Sequence, residues 1–167
     1  NTIGFDGYRL DFVRGFQEDM TAKWVDNLPR KTGGVQPYIV GEYFTSYKYR
    51  LKNWVNNCYN NYTYNGYRAD VDVFDFPLKN DLTSMANANA ANYNMAWLNH
   101  SGMVRDNTSN ALPGTAVVTF ADNHDTGKES DKWISRSWDI AYAYLLFSEG
   151  RPCIFYPHSY GVTQVDN

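Results

Sequence analysis

The stretch Gly-Phe-Asp-Gly-Tyr-Arg-Leu-Asp-Phe at positions 4–12 combines a strand pattern with charged side chains. Side chains alternate between the two faces of a strand. One face carries Tyr8, Leu10 and Phe12 and suits packing against helices. The other face carries Arg9 and Asp11, which can pair because buried charges need partners. The pattern fits either a structural ion pair or a carboxylate nucleophile stabilised by Arg9.

Strand-like and helix-like segments alternate along the rest of the chain. The predicted strands are 7–12, 38–41, 69–74, 116–120 and 153–156. Helices are predicted at 17–28, 81–91 and 138–147. Another predicted helix carries Leu51, Trp54, Val55 and Cys58 at helical spacing. Residues 92–114 are predicted to be a long irregular connection. This order is typical of an α/β fold with parallel strands, either a doubly wound sheet or five-eighths of a (β/α)8 barrel.

Two further acidic segments follow predicted strands. Glu42 comes directly after Tyr-Ile-Val-Gly at 38–41 and is flanked by aromatic residues. Poor solvation favours the protonated form of a carboxylic acid, which suits a general acid. Asp122, Asn123, His124 and Asp125 come directly after the apolar strand 116–120. Because barrel active sites lie at the carboxyl ends of the strands, this placement favours a partial (β/α)8 barrel.

Two carboxylates that flank a sugar bond are the minimum for glycoside hydrolysis. One carboxylate attacks the anomeric carbon, and another protonates the leaving oxygen and later activates water. A third can stabilise the developing positive charge. Taken alone, Glu42 as a strand-ending residue and His124 with Asp125 as a structural pair remain alternative interpretations.

Composition excludes several classes of protein. The net charge of −3 argues against nucleic acid as a partner, because phosphate binding needs a basic surface. No apolar run is long enough to span a membrane. Cys58 and Cys153 lack the spacing of a zinc site. Buried free thiols are expected, although a disulfide between them stays open. The 14 Tyr, 9 Phe and 5 Trp suit core packing and sugar stacking alike.

Five segments together resemble the α-amylase family of retaining glycoside hydrolases, in family order and over nearly the whole chain. Gly-Phe-Asp-Gly-Tyr-Arg-Leu-Asp-Phe resembles the fourth-strand motif, Val-Gly-Glu-Tyr-Phe the fifth, and Phe-Ala-Asp-Asn-His-Asp-Thr the seventh. Val-Phe-Asp-Phe-Pro-Leu-Lys and Pro-Cys-Ile-Phe-Tyr resemble the sixth-strand and eighth-strand regions. The details are similar to plant-type and related bacterial α-amylases.

The resemblance implies a role for each site residue. Asp11 would be the nucleophile, Glu42 the acid/base and Asp125 the transition-state stabiliser. Arg9 would orient Asp11. Arg14 and His124 would hydrogen-bond the sugar. The chain departs from the family at Arg14 and Gly15, where many members have Lys-His.

The resemblance also implies Ca²⁺, with the backbone carbonyl of Gly15 as one ligand and the others outside this chain. Residues 1–167 are expected to be the C-terminal part of an amylase catalytic barrel, with strands four to eight. The N-terminal strands and the C-terminal β-domain would be absent, since a barrel needs about 250 residues. We expect the complete protein to be a secreted monomer, and these residues alone to be inactive.

The implied activity is hydrolysis of internal α-1,4-glucosidic bonds in starch and related glucans. An exo-acting, oligosaccharide-forming amylase or a transglycosylase of the same family would share these motifs. A non-catalytic glucan-binding protein on the same scaffold is a further alternative, although all three carboxylates are present.

Overall fold

The computed structural model of the protein describes residues 4–60, 65–88 and 92–161. The chain forms two compact units, Asn1–Phe74 and Asp75–Asn167. Each unit combines parallel strands with helices, as the alternation of segments predicts.

The N-terminal unit carries three parallel strands in chain order. Strand β1 is Gly7–Leu10, β2 is Tyr38–Gly41 and β3 is Asp72–Phe74; helix α1 is Glu18–Asp26 and α2 is Lys48–Asn60. The register pairs Gly7 with Tyr38 and Leu10 with Gly41, and Val40 pairs with Asp72. Strands β1 and β2 therefore end level with each other.

The C-terminal unit carries two further parallel strands. Helix α3 is Phe76–Asn87, β4 is Val117–Phe120, α4 is Trp138–Phe147 and β5 is Arg151–Cys153. Val118 pairs with Arg151 and Phe120 with Cys153. Helices α3 and α4 share a buried apolar core with the segment after β4, including Leu82, Ala121 and Leu145. The predicted α/β class with parallel strands is confirmed, and the strand order within each unit is consistent with a partial barrel.

Helix α3 begins earlier than predicted. The predicted helix covers 81–91, but α3 begins at Phe76, and positions 89–91 lie outside the described residues. Asp75 caps it by accepting from the Leu78 backbone N–H at 2.9 Å. Pro77 occupies the first turn, where its missing N–H costs nothing. Pro77 therefore opens the helix rather than separating it from the preceding strand.

Other element ends also differ from prediction. Strand β1 ends at Leu10, because Phe12 adopts a left-handed conformation with φ 47° and is exposed. Strand β5 is Arg151–Cys153 and shares only Cys153 with the predicted strand 153–156. The predicted connection 92–114 contains a 3₁₀ helix, Met95–His100. On α1, the large apolar side chains of Met20 and Trp24 are exposed.

The cysteines follow the prediction only in part. Both thiols are free; Cys58 is buried as expected, whereas Cys153 is exposed. Burial raises the pKa of the Cys58 thiol to about 12. In the described part of the chain, no helix combines the length and apolar character needed to cross a membrane.

Candidate active site

Arg9 joins the two acidic residues that follow β1 and β2. Its Nη1 donates to Asp11 Oδ1 at 2.7 Å, and its Nη2 lies 2.9 Å from Glu42 Oε1. One guanidinium therefore bridges two carboxylates, an arrangement its planar fork of donors favours.

Backbone hydrogen bonds set this geometry. Beyond the ladder of β1 and β2, the Glu42 N–H donates to the Leu10 carbonyl at 2.8 Å. The Val13 N–H then donates to the Glu42 carbonyl at 3.0 Å. Since Asp11 follows Leu10 directly, these bonds hold both acidic residues at the same edge of the unit.

Gly41 allows β2 to pack closely against α2 immediately before Glu42. A Cβ atom at position 41 would lie 2.2 Å from Cη2 of Trp54, which real Cβ atoms do not tolerate. Trp54 itself is fully buried. A glycine is therefore required where the strand that presents Glu42 crosses the helix.

The two carboxyl groups differ in environment. The Asp11 side chain is 73% exposed, whereas that of Glu42 is 9% exposed. Glu42 is buried but is not surrounded by apolar groups alone, because the Phe12 N–H also approaches its Oε2 at 3.4 Å. The apolar setting expected from its aromatic neighbours is therefore only partly present, and two donors face the carboxylate.

Arg14 lies on the same side of the N-terminal unit. Its Nη1 donates to the Phe44 carbonyl at 3.1 Å, and its guanidinium carbon lies 5.1 Å from the centre of the Phe12 ring. The left-handed turn at Phe12 thus brings Arg14 to the segment that follows Glu42. This contact depends on backbone geometry that strand alternation does not predict.

The described residues do not include a complete binding site for the calcium ion that the resemblance implies. Gly15 lies in a short 3₁₀ helix, Val13–Gly15, and offers one carbonyl. No group of three or more His, Cys, Asp or Glu side chains suited to a metal occurs among residues 4–60, 65–88 and 92–161. Since Ca²⁺ takes six to eight oxygen ligands, these residues do not form a calcium centre by themselves.

The third predicted acid lies in the C-terminal unit, after β4. His124 Nε2 lies 3.4 Å from Asp125 Oδ2, and both side chains are about half exposed. The Asn123 side-chain oxygen accepts from the Asp125 N–H at 3.0 Å and the Thr126 N–H at 2.8 Å. Asn123 thereby shapes the turn that presents Asp125, as an Asn two residues upstream often does.

Sequence reasoning missed the roles of Lys79 and Asp122. Lys79 Nζ lies 3.3 Å from Asp122 Oδ1, and both side chains are almost completely buried. Burial lowers the pKa of Lys79, which the Asp122 charge partly opposes. The signal available in the sequence was Lys79 directly after Phe-Pro-Leu, where a buried Lys demands an anionic partner.

No family model matches the chain. Several curated proteins are similar to this chain. An α-amylase of Geobacillus stearothermophilus is 32% identical over 98% of this chain and 28% of its own length. A glucan 1,4-α-maltohexaosidase of Bacillus sp. (strain 707) is 29% identical over 97% of this chain and 29% of its own length. A cyclomaltodextrin glucanotransferase of Geobacillus stearothermophilus is 30% identical over 92% of this chain and 20% of its own length.

The chain thus spans less than a third of the length of these relatives. The similarity nevertheless covers nearly all of its own residues, including the segments of Asp11, Glu42 and Asp125. The chain belongs to the α-amylase family of glycoside hydrolases.

Proposed function

We propose that the protein containing this chain hydrolyses internal α-1,4-glucosidic bonds of starch, glycogen and related glucans with retention of configuration. In this proposal residues 1–167 supply strands four to eight of a (β/α)8 barrel. The N-terminal strands and a C-terminal β-domain belong to the rest of the protein. The observation that carries the proposal is the Arg9 guanidinium that bridges Asp11 and Glu42.

The shared Arg9 partner keeps the two acids near each other, as a retaining mechanism requires. Each carboxylate lies within 3 Å of a different terminal nitrogen of Arg9. The two acids are thus held close together by one guanidinium. Retaining enzymes hold their two carboxyl groups about 5–5.5 Å apart, whereas inverting enzymes need room for a water molecule between them.

Asp11 is suited to the nucleophilic role. It is the more exposed acid, so a sugar can reach it, and Arg9 places positive charge beside it. Its oxygen would attack the anomeric carbon and form a glycosyl ester as the bond to the leaving oxygen breaks. Arg9 would also orient the attacking carboxylate.

Glu42 would give a proton to that leaving oxygen and then take one from the attacking water. Its buried carboxyl group lies beside Asp11 but faces Arg9 and the Phe12 N–H. The carboxylate form of Glu42 is the base needed in the second step. Proton donation in the first step needs the carboxylic acid form of the same side chain.

Asp125 would stabilise the oxocarbenium-like transition state, and Arg14 and His124 would hydrogen-bond the sugar. Both side chains of the His124 and Asp125 pair are open to solvent, as groups that contact a substrate must be. Calcium enters none of these steps. Calcium binding, a monomeric state and an extracellular location stay predictions.

Two alternatives share the chemistry. The relatives include a protein named as a maltohexaosidase and another named as a glucanotransferase. An exo-acting or glycosyl-transferring enzyme therefore fits the same residues, and the length distribution of products from soluble starch distinguishes it from an endo-acting one. A non-catalytic glucan-binding protein is less well supported, because Asp11, Glu42 and Asp125 are all present.

The stereochemical outcome tests the proposal. We expect the complete protein to release the α-anomer first, because two displacements at the anomeric carbon restore its configuration. Proton NMR of the earliest hydrolysis products, recorded before mutarotation, measures this directly. First release of the β-anomer would contradict the assignment of Asp11 as nucleophile.

A second expectation concerns residues 1–167 expressed alone. We expect no measurable starch hydrolysis, because catalysis needs its groups held within about 0.5 Å and the proposed barrel would be incomplete. The assay compares this polypeptide with the complete protein at equal concentration. A soluble, monomeric 1–167 polypeptide with activity near that of the complete protein would refute the partial-barrel proposal.

A further inference from the structure

Asp122 is a buried carboxylate that the proposed mechanism does not use. Its Oδ1 accepts from the Thr126 hydroxyl at 2.8 Å and lies 3.3 Å from Lys79 Nζ. Its Oδ2 accepts from the Ile134 N–H at 2.7 Å. A carboxylate at this depth is costly unless it is paired and hydrogen-bonded, and these three partners meet that need.

The Thr126 hydroxyl connects this carboxylate to the turn that carries Asp125. Besides donating to Asp122, the hydroxyl oxygen accepts from the Asn123 N–H at 3.0 Å. A hydroxyl has one proton and two lone pairs, so it serves both bonds at once. Asn123 in turn receives the N–H groups of Asp125 and Thr126. The Thr126 hydroxyl therefore links the turn that carries Asp125 to the Asp122 carboxylate.

His158 supports Asp122 from a second side. Its Nε2 lies 3.8 Å from Asp122 Oδ2, and its Nδ1 lies 3.0 Å from the Tyr142 hydroxyl. That hydroxyl oxygen accepts from the Phe155 N–H at 3.0 Å, so its proton is available for Nδ1. The neutral ring then carries its proton on Nε2, facing Asp122. Burial lowers the pKa of His158, which favours this neutral form.

We propose that Asp122 is a positioning residue that orients Asp125 through the hydroxyl of Thr126. The carboxylate holds both ends of one loop, since Oδ1 binds Thr126 and Oδ2 binds the backbone at Ile134. Lys79 pairs with the carboxylate from α3, and His158 faces it at 3.8 Å from the segment after β5. This inference rests on the proposed function, because that function gives Asp125 its contact with the sugar.

The test is a pair of variants at position 126 in the complete protein. Thr126→Val keeps the shape of the buried side chain but removes the hydroxyl, whereas Thr126→Ser keeps the hydroxyl. We expect Thr126→Val to lower kcat by roughly 10- to 100-fold with a much smaller change in KM, since a misplaced catalytic group costs about that much. Thr126→Ser should stay within about threefold of wild type, since it restores the hydrogen-bonding group.

A matched core variant separates positioning from stability. Met85→Ala removes a buried side chain of the same unit that has no part in the Asp122 network. It should lower Tm and leave kcat unchanged at a temperature where the protein is folded. If Thr126→Val behaves like Met85→Ala, with lower Tm and unchanged kcat, Asp122 has only a structural role and the proposal is overturned.

Backbone hydrogen exchange provides a readout that does not depend on the reaction. Relative to Thr126→Ser, Thr126→Val should accelerate exchange at the Asn123 N–H, which loses its hydroxyl acceptor. Exchange at the Asp125 N–H should also accelerate, because its acceptor, the Asn123 side-chain oxygen, belongs to the turn that the hydroxyl anchors. Unchanged exchange at both would overturn the anchoring role. A wild-type protein without glucan hydrolysis would instead refute the proposed function, and the exchange rates would still decide whether Thr126 anchors this turn.

Discussion

Asp11→Asn in the complete protein is expected to lower kcat for starch by at least about 10⁴-fold, because the amide cannot form the glycosyl ester. The side chain is largely exposed, so the fold should tolerate the exchange. The loss should be equally severe for an activated aryl glycoside, since both substrates need the same nucleophile. Mass spectrometry with a slow fluorinated substrate should detect a glycosyl adduct on Asp11 in wild type and none in the variant.

Asp6→Asn is the matched control for this variant. Asp6 lies on the same segment and is almost fully exposed, but its partner is Lys31 at 2.6 Å rather than Arg9. The Lys31 hydrogen bond lowers the pKa of Asp6, as an exposed ion pair does. Because such pairs contribute little, the control should retain nearly full activity. Equal losses for Asp6→Asn and Asp11→Asn would show that disturbance of the segment, and not loss of the nucleophile, explains the result.

Glu42→Gln is expected to lower kcat/KM for starch by about 10³-fold, the usual contribution of a general acid. An aryl maltooligosaccharide with a good leaving group needs little protonation, so its glycosylation step should lose far less. Gln keeps the size of the side chain and can still accept from Arg9. The measurement is the pre-steady-state rate of aryl release compared with the steady-state rate on starch.

The control for Glu42→Gln is Glu18→Gln, an acid-to-amide change in the first turn of α1 in the same unit. Loss of one favourable charge at a helix N-terminus costs roughly 0.3–1 kcal/mol of stability and should not affect turnover. If Glu42→Gln lowers activity equally on starch and on the activated substrate, Glu42 is not the general acid.

Local patterns in the sequence predict much of this arrangement. Alternation along 4–12 predicts that Arg9 and Asp11 share a face, and their ion pair is present. The apolar runs before Glu42 and Asp122 correspond to β2 and β4, so the acids fall at strand ends. These features depend on neighbours in the chain, which a sequence pattern records. The catalytic roles of Asp11, Glu42 and Asp125 stay predictions.

What the sequence does not predict depends on distant partners. Arg9 reaches Glu42 only because the register sets Leu10 opposite Gly41, and no local pattern fixes that register. The sequence pattern does not locate the start of α3, because Pro77 is also compatible with a strand end. The capping hydrogen bond to Asp75 sets the start of the helix at Phe76. Asp122 likewise acquires its role from Lys79 and His158, each more than 30 positions away.

The contact between Gly41 and Trp54 has a consequence for how this family can vary. The space that a side chain at 41 would need is filled by the far edge of the indole. The side chains at positions 41 and 54 therefore share one limited volume, and a larger residue at one requires a smaller residue at the other. Homologues with alanine or serine at 41 should carry a smaller residue at 54, and random libraries of this protein should recover changes at 41 only together with changes at 54.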